Sequence, residues 1–591
     1  MRFSPVLTAI FTLTILPMTV HYLSAQQLKG KPNIILIMTD DQGYGDFGFA
    51  GNPHVKTPNI DKLASRSTRL TNFHSSPVCA PTRASLLTGR YHQRTGVHDT
   101  FNNGAIMATE EVTLAEILSQ NGYETGIVGK WHLGDNYPYR PSEQGFKYSL
   151  VHGGGGIGQP GDLIENFTRP DSSYFNTVLL ENNKKVYPKG YCTDIFTDGA
   201  LKFLEQERST PFFLYVSYNA PHDPLQLPKK YEDQYRDLKF DTALDNDESK
   251  AWSRMTEKDK ENARKVYGMA TNIDDNVGRI LAELKTRRLE ENTIVIFLTD
   301  NGNQQLRFNT GFRGLKASVY EGGTHVPFLI SGAGIIPDNK DVAGLIAHID
   351  VLPTILEALK IPLPKNIHCD GKSAFGQIVG RETSRQRVFY NAWNRGWPEP
   401  YRSAALYNGN HKLVAVEANG DDLNKFALYD LKTDPFEQNN LVSKNQKLTL
   451  KLKHQMDSVF NEVSASPHLT PRRIEIGTAH ENPVVLTRQD LGGSALRNWT
   501  ADNALGFWTV RVKEDGYYDF KLINIKAVSV GTRASLRLGQ IQRSVITDKE
   551  EKTIYVKRVF IKKGDYNIES WLESGGNVTG PYFLEVMFKG I

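Results

Sequence analysis

The chain has 591 residues, 39% hydrophobic and 10% aromatic, which is enough for substantial cores and too long for one ordinary domain. Its 70 basic and 66 acidic residues leave a formal net charge of +4 with no long basic block, so composition gives nucleic-acid binding no support. Three cysteines, Cys79, Cys192 and Cys369, rule out a disulfide scaffold; Cys192 and Cys369 are left either as one bridge in an oxidising compartment or as two buried thiols.

At the N-terminus, Met1-Arg2-Phe3, an apolar stretch from Pro5 to Val20 and the small residues Ser24-Ala25 read as a secretory signal, residues 1–25. The stretch is short for a membrane span and contains Pro17, and no later segment is long and apolar enough to cross a bilayer. The expectation is an exported protein, periplasmic or secreted, with no membrane attachment after cleavage.

Residues 26–384 carry short apolar runs that end in polar groups. Ile34 to Met38 leads to Asp40-Asp41, Gly126 to Val128 to Lys130 and His132, Phe212 to Val216 to His222, and Ile294 to Leu298 to Asp300-Asn301. Runs of this kind predict strands buried on both faces, as in a parallel sheet. Helical patterns lie between them, at Thr113 to Gln120, Thr197 to Glu207 and Lys260 to Leu284. The alternation predicts a helix-covered, mostly parallel α/β sheet with its ligand beyond the carboxyl ends of the strands, so the four polar clusters converge on one rim. Cys79-Ala80-Pro81-Thr82-Arg83 reads as a loop entering a helix, with Arg83 one turn from Cys79 on the same face, an arrangement that suits work on an anion.

Residues 385–465 read as a small α+β unit, with antiparallel strands at Val388 to Tyr390, His411 to Val416 and Leu428 to Leu431 and a closing helix at Gln446 to Val463. From 471 to 591 the pattern becomes short alternating runs separated by Gly/Asp turns, among them Trp508 to Val512, Tyr518 to Leu522, Thr553 to Ile561 and Tyr582 to Phe588. This predicts a β-sandwich of about 120 residues. Its role is open between carbohydrate binding and a structural appendage.

Asp40, Asp41, Asp300 and Asn301 offer only oxygen donors, three of them charged, from two strand ends. A hard cation such as Ca²⁺ or Mg²⁺ wants this set, whereas zinc recruits His or Cys.

The Cys79 segment, running into Ala84 to Arg90, resembles the Cys-x-Pro-x-Arg signature of the type I sulfatases of the alkaline phosphatase superfamily. Gly129-Lys130-Trp131-His132, Gly314-Leu315-Lys316 with Glu321-Gly322-Gly323, and Leu428-Tyr429-Asp430-Leu431 with Asp434-Pro435 resemble further stretches of that family. The resemblance spans residues 31 to about 445. It implies that a formylglycine-forming maturation enzyme oxidises Cys79 to formylglycine, whose hydrate provides the nucleophile. It further implies one Ca²⁺ ion, with Mg²⁺ as the alternative, on Asp40, Asp41, Asp300, Asn301 and the modified Cys79. Arg83, Lys130 and Lys316 then supply positive charge to the sulfate, while His132 assists the nucleophile and His222 protonates the departing oxygen. Attack on sulfur by one hydroxyl, followed by collapse of the hydrate, divides the reaction into two steps.

The expected activity is removal of sulfate from a sulfated carbohydrate, an oligosaccharide derived from a polysaccharide. A phosphate or phosphonate ester hydrolase of the same superfamily is the enzymatic alternative, and a catalytically silent carbohydrate-binding protein is the alternative from another class. His348 and Asp350 read as capping or packing residues ahead of the helix Val351 to Leu359, and Thr324-His325 stands where the family commonly has Arg, so it is left out of the site. Asp99, Tyr139, Arg140, His152, Trp393 and Arg402 are unranked candidates for sugar contacts.

Overall fold

A computed structural model of the protein describes residue 1 and residues 30–384, 386–493 and 499–591. The secretory-signal reading lies outside the described residues. Among them, no helix is long and apolar enough to cross a membrane.

The strand Asn33–Thr39 is buried along its whole length and lies at the centre of a ten-stranded sheet. Thr293–Thr299 pairs with it on one side and Phe212–Ser217 on the other, both parallel, and Glu124–Lys130 and Tyr148–His152 continue the parallel set. Successive side chains of a strand point to opposite faces. Ile34, Leu36 and Met38 accordingly pack with the helices Cys79–Thr88, Leu114–Gln120 and Val351–Ala358, whereas Ile35 and Ile37 pack with Cys192–Glu205 and Glu257–Thr286. Both faces are covered, which is why these strands carry continuous apolar runs rather than an alternating pattern.

The first helix of the sequence reading starts one residue later because Thr113 is its N-cap, closing a capping box with Glu116. The second starts earlier, at Cys192, because burial of Cys192, Thr193 and Ile195 recruits a turn whose Cys-Thr-Asp start carries no helical signature. The edges of the sheet are formed by short strands, Thr68–Leu70, Phe328–Gly332 and Lys340–Val342 at one end and Leu179–Glu181 and Lys184–Val186 at the other. Too short for a periodic pattern, they escape a reading from sequence.

Val388–Ala392, Ser403–Asn408, His411–Val416 and Phe426–Asp430 form a four-stranded antiparallel sheet. The helix Gln446–Ser464 packs Leu452, Met456 and Val463 against Leu406, Leu413 and Leu428 of that sheet. Beyond it, two further sheets enclose a core of Trp508, Val510, Phe520, Leu522, Leu536, Ile568 and Leu584. Ile106 and Tyr139, from the first part of the chain, enter this same core. The indole N–H of Trp508 donates to the Thr487 carbonyl at 2.6 Å, so the buried ring keeps its polar atom bonded.

Asp490 lies in that contact, 2% exposed, and among the described residues neither of its carboxylate oxygens has a hydrogen-bond donor. Burial pushes it up to about 7, while burial and then the Asp490 charge hold Asp135 well above the usual carboxylate range, with Asp162 and Glu481 acting in the same direction on Asp135. A raised folded-state value means that the associated stability is fully present below about 3.8 and is lost as pH rises through 7. Asp490→Asn has no such loss. Thermal melts of the two proteins should coincide near pH 4 and separate progressively toward pH 8, with the variant the more stable by a few kcal/mol at about 1.4 kcal/mol per unit of displacement; equal melting at pH 8 would contradict the assignment.

Candidate active site

The parallel register leaves the strand ends level. Met38 stands beside Ser217 and Leu298, Gly129 beside Ser217, and Lys130 beside His152. Gly129 has φ +107°, and a Cβ there would lie 1.8 Å from the Ser217 carbonyl oxygen, so only glycine lets the two strands run this close next to Lys130. Past the central strand the chain turns sharply at Asp41, which adopts φ 61°. That unfavourable conformation is over-determined by Arg307, which grips Asp46 through two bonds of 2.6 and 2.7 Å and donates to the Asp41 carbonyl at 3.0 Å.

Asp40, Asp41, Asp300 and Asn301 come together there, all fully buried. The Asp41 amide donates to Asp300 Oδ1 at 3.2 Å, and Asn301 Nδ2 donates to Asp41 Oδ1 at 2.8 Å. Cys79 is the first residue of its helix, so the positive end of that helix lies at its side chain. The ligand atoms of Asp40, Cys79 and Asp300 lie within 4.8 Å of one another, as do those of Asp40, Asp41 and His222.

Two of the three predicted cations are turned inward. Arg83 is fully buried and donates to Asp300 Oδ2 at 2.7 Å, to the Lys130 carbonyl at 3.2 Å and to Ser217 Oγ. Lys130, equally buried, donates to Asp40 Oδ2. Both therefore hold the carboxylates in place. Lys316 is different: its ammonium lies 2.7 Å from the Asp41 carboxylate, yet its side chain remains 15% exposed. Its loop is pinned by the Lys316 amide on the Asn303 carbonyl, the Ala317 amide on the Pro77 carbonyl and a turn at Gly322-Gly323, where a Cβ would meet the carbonyls of Gly314 and Ser318 at 2.1 Å.

His132 also has a positive φ, 59°. Its Nε2 lies 2.8 Å from the Thr100 carbonyl, which only accepts, so Nε2 carries the proton and Nδ1 presents a lone pair with no partner among the described residues. Burial first, then Lys130, hold this ring well below the usual imidazole range. His222 donates from Nδ1 to the Asp223 carbonyl at 2.7 Å and turns Nε2 toward Asp41 at 3.7 Å. Burial and then Lys316 lower it to about 4.

The carboxylates answer to the same charges. Burial alone would raise Asp41, yet Lys316, His222 and the hydrogen bonds from Asn301 and Lys316 together hold it far below the usual range. Burial and then Asp40 push Asp300 up to about 7, although Arg83 and Lys130 act in the opposite direction. Asp40 Oδ1 and Asn301 Oδ1 are buried acceptors with no donor among the described residues. An oxygen donor set of three carboxylates and one amide, with two acceptors open, fits a hard divalent cation.

Several residues bearing on the site escape a reading from sequence. Thr82 donates to the Asp300 carbonyl at 2.7 Å from inside the Cys79 segment, and that segment is the only sequence signal for it. Gln304 reaches Asp223 and accepts from Lys316 at 3.4 Å, and Arg307 braces Asp41, all through contacts between residues remote in sequence or on patternless loops. His325, set aside above, forms no part of the carboxylate cluster: it meets Glu321 at 2.9 Å and the Thr71 carbonyl at 2.9 Å. Glu321 in turn accepts from Lys412 at 2.8 Å, and Lys412 lies 2.7 Å from Glu437, a buried brace between the Lys316 region and the four-stranded sheet. His348 and Asp350 are packing and capping groups, with Asp350 accepting from the Ala347 amide.

The six candidate sugar contacts separate. Tyr139 and Arg140 do not lie on an open loop: the Tyr139 hydroxyl donates to the Arg473 carbonyl, and Arg140 lies near Glu143 and Glu481. His152 is fully buried at a strand end, so it does not present itself to a ligand from a loop. Asp99 is covered by Arg395 and the Gly396 amide, Trp393 is 8% exposed, and Arg402 pairs with Glu399. All three cysteines are free thiols, which settles the question left open for Cys192 and Cys369.

Comparison with known proteins places this arrangement. The sulfatase family model matches residues 32–361, and the model for the C-terminal part of N-sulphoglucosamine sulphohydrolase matches residues 314–463. An ulvan-active sulfatase of Formosa agariphila is 30% identical over 466 residues, 76% of this chain and 84% of that one. An N-acetylgalactosamine-6-O-sulfatase of Bacteroides thetaiotaomicron is 28% identical over 516 residues, 73% of this chain and 94% of that one. Among solved structures, Ps i-CgsB in complex with k-i-k-neocarrahexaose superposes with a TM-score of 0.63 at 27% identity, covering 74% of this chain and 94% of that one.

Proposed function

This chain belongs to the type I sulfatase family of the alkaline phosphatase superfamily and is a sulfuric ester hydrolase, and from that premise we propose that it removes sulfate from sulfated carbohydrate, through a formylglycine made from Cys79. The observation that carries the reading is the meeting of Cys79 with Asp40 and Asp300 at a helix start. Burial pushes the Cys79 thiol up, so as a thiol it stays protonated and weakly nucleophilic at neutral pH. A site built around an unactivated thiol needs that thiol changed. Oxidised by a maturation enzyme and hydrated, Cys79 would supply the attacking oxygen, and a Ca²⁺ ion on Asp40, Asp41, Asp300 and Asn301 would favour its ionised form and draw electron density from the sulfate.

The chain's own residues divide the remaining work. Arg83 and Lys130 act as positioning residues that hold Asp300 and Asp40, and Lys316, on the open side, meets a sulfate oxygen. His132 accepts a proton at Nδ1, the ring atom left free by the Thr100 carbonyl. His222 gives a proton from Nε2 to the departing oxygen. Its lowered value in the protein by itself is set by burial and Lys316, and the negative charge of a bound sulfate ester acts in the opposite sense, so the ring gains its proton together with substrate.

His222→Ala should lower kcat on a sulfated sugar by about 10²–10³, and on an aryl sulfate with a stabilised phenolate leaving group by much less, because only the poor leaving group needs the proton. Equal losses on both substrates would remove His222 from that role. The sugar relatives support the substrate class, and the apolar N-terminal stretch supports export. The test is release of inorganic sulfate from a panel of sulfated oligosaccharides and a phosphate ester, with a mass spectrum of the Cys79 peptide from the native source. Formylglycine with sulfate release from a sugar establishes the proposal. Unmodified Cys79 without turnover, or preference for the phosphate ester, refutes it.

A further inference from the structure

The family matches end at residue 463, and the two C-terminal sheets lie beyond them. Those sheets nevertheless touch the loop that orients His132. Thr100, whose carbonyl accepts from His132, is followed by Phe101, and the Phe101 ring stacks on Trp499 with centroids 4.8 Å apart and planes 9° from parallel. Two residues on, the Asn103 amide donates to the Gln489 carbonyl, and Asn103 Nδ2 bonds the Arg472 carbonyl and Thr509 Oγ1. Gln489 Oε1 also accepts from the Gly155 amide at 2.7 Å, on the glycine run that approaches the His132 ring.

Where these parts meet there is an open cleft of about 510 Å³. Its walls come from three regions: His98 and Phe101 from the α/β unit, Arg395 and Trp397 from the segment beside the four-stranded sheet, and Gly493 and Phe507 from the C-terminal sheets. Trp397 is 46% exposed and stacks on His98 at 4.5 Å, with planes 12° apart, so a large ring is supported by His98 while nearly half of the residue stays open to solvent. Arg395 lies 4.3 Å from the Phe101 centroid and bonds both Asp99 and Thr100 Oγ1, which joins the cleft floor to the residue on which His132 leans. Gly493 and Phe507 also border a second hollow of about 490 Å³, which runs onto the outer sheet past Leu505, Arg537 and Trp571.

We propose that the C-terminal sandwich forms one wall of the substrate cleft and receives sugar units beyond the one that carries the scissile sulfate, along Trp397, Phe507 and Trp571. The inference rests on the sulfated-carbohydrate reading above. Held aromatic rings take up the C–H faces of pyranoses, and arginine N–H groups at their edges bond hydroxyl and sulfate oxygens. The arginines here already face carboxylates: Arg395 meets Asp99, Arg402 meets Glu399 and Arg537 meets Glu569. Net charge in the cleft is therefore small, and the class of ligand it suits is an oligosaccharide held by its ring faces, with charge recognition confined to the catalytic pocket.

The test compares full-length wild type with Trp397→Ala, Phe507→Ala, Phe507→Leu and Trp571→Ala on a small aryl sulfate and on a sulfated hexasaccharide that the wild type desulfates. The expected result is a fall of about tenfold in the ratio of kcat/KM for hexasaccharide to kcat/KM for aryl sulfate, carried by KM. A ratio that stays within twofold in Trp397→Ala and Trp571→Ala, whose rings are not core residues, overturns the inference while leaving the sulfatase reading intact; the leucine variant separates loss of a ring face from loss of packing at 507. A wild type that desulfates the aryl sulfate and no sugar in the panel overturns the carbohydrate reading and this inference with it.

Discussion

Cys79→Ala should abolish sulfate release, lowering kcat by at least about 10⁴-fold, and should leave the fold intact. Removing a covalent nucleophile from a site that works as a unit costs this much because neighbouring groups cannot replace the attacking atom. The fold is spared because Cys79 contributes one small side chain at a helix start that no side chain caps. Alanine at that position keeps the helix, and the melting temperature should move by no more than a few degrees. Residual activity within tenfold of wild type would exclude position 79 as the source of the nucleophile. Coupling the rate to a mass spectrum of the same preparation makes the result quantitative, because activity should scale with the fraction of Cys79 converted.

Added Ca²⁺ should raise the melting temperature of the wild type, and Asp300→Asn should abolish that rise, independently of turnover, and cost at least about 10³-fold in activity. A ligand that binds only the native state stabilises by about 2.7 kcal/mol at a hundredfold excess over its Kd, which is several degrees for a cooperative unit. Asp300 accepts from Arg83 on one oxygen and from the Asp41 amide on the other, so the substitution removes a charge and leaves a buried guanidinium facing a neutral amide. Breaking one partner of a buried pair costs about 3–5 kcal/mol, and the variant should also melt lower without any ion. A variant that keeps the full Ca²⁺-dependent shift would show that the cation binds elsewhere.

The central strands, the main helices and the convergence of four polar clusters on one rim were legible because both faces of the sheet are covered and apolar runs of that length have few other uses. Asp40-Asp41 and Asp300-Asn301 were legible as a pair because each closes such a run. The directions of the cations were not. Arg83 and Lys130 are read from sequence as charge for the sulfate, and the structure bonds them to the Asp300 and Asp40 carboxylates. Lys316 is paired too, with Asp41, but its side chain alone among the three stays partly exposed. Sequence spacing says which residue types reach a rim; which oxygen each nitrogen meets depends on side chains brought together from segments tens to hundreds of residues apart.

By itself the sequence determined the fold class, the kind of donor set at the strand ends and the Cys79 segment, since each is written in residues adjacent along the chain. Only the tertiary structure decided the rest: that Arg307 and Asp46 hold Asp41 in its turn, that Thr100 sets the tautomer of His132, and that Phe507 and Trp499, from the far end of the chain, stand beside the loop on which His132 depends. The reason is physical. Hydrophobic periodicity is a local property that burial imposes on each segment separately, whereas a hydrogen bond or a stacked ring between remote segments leaves no period in either one.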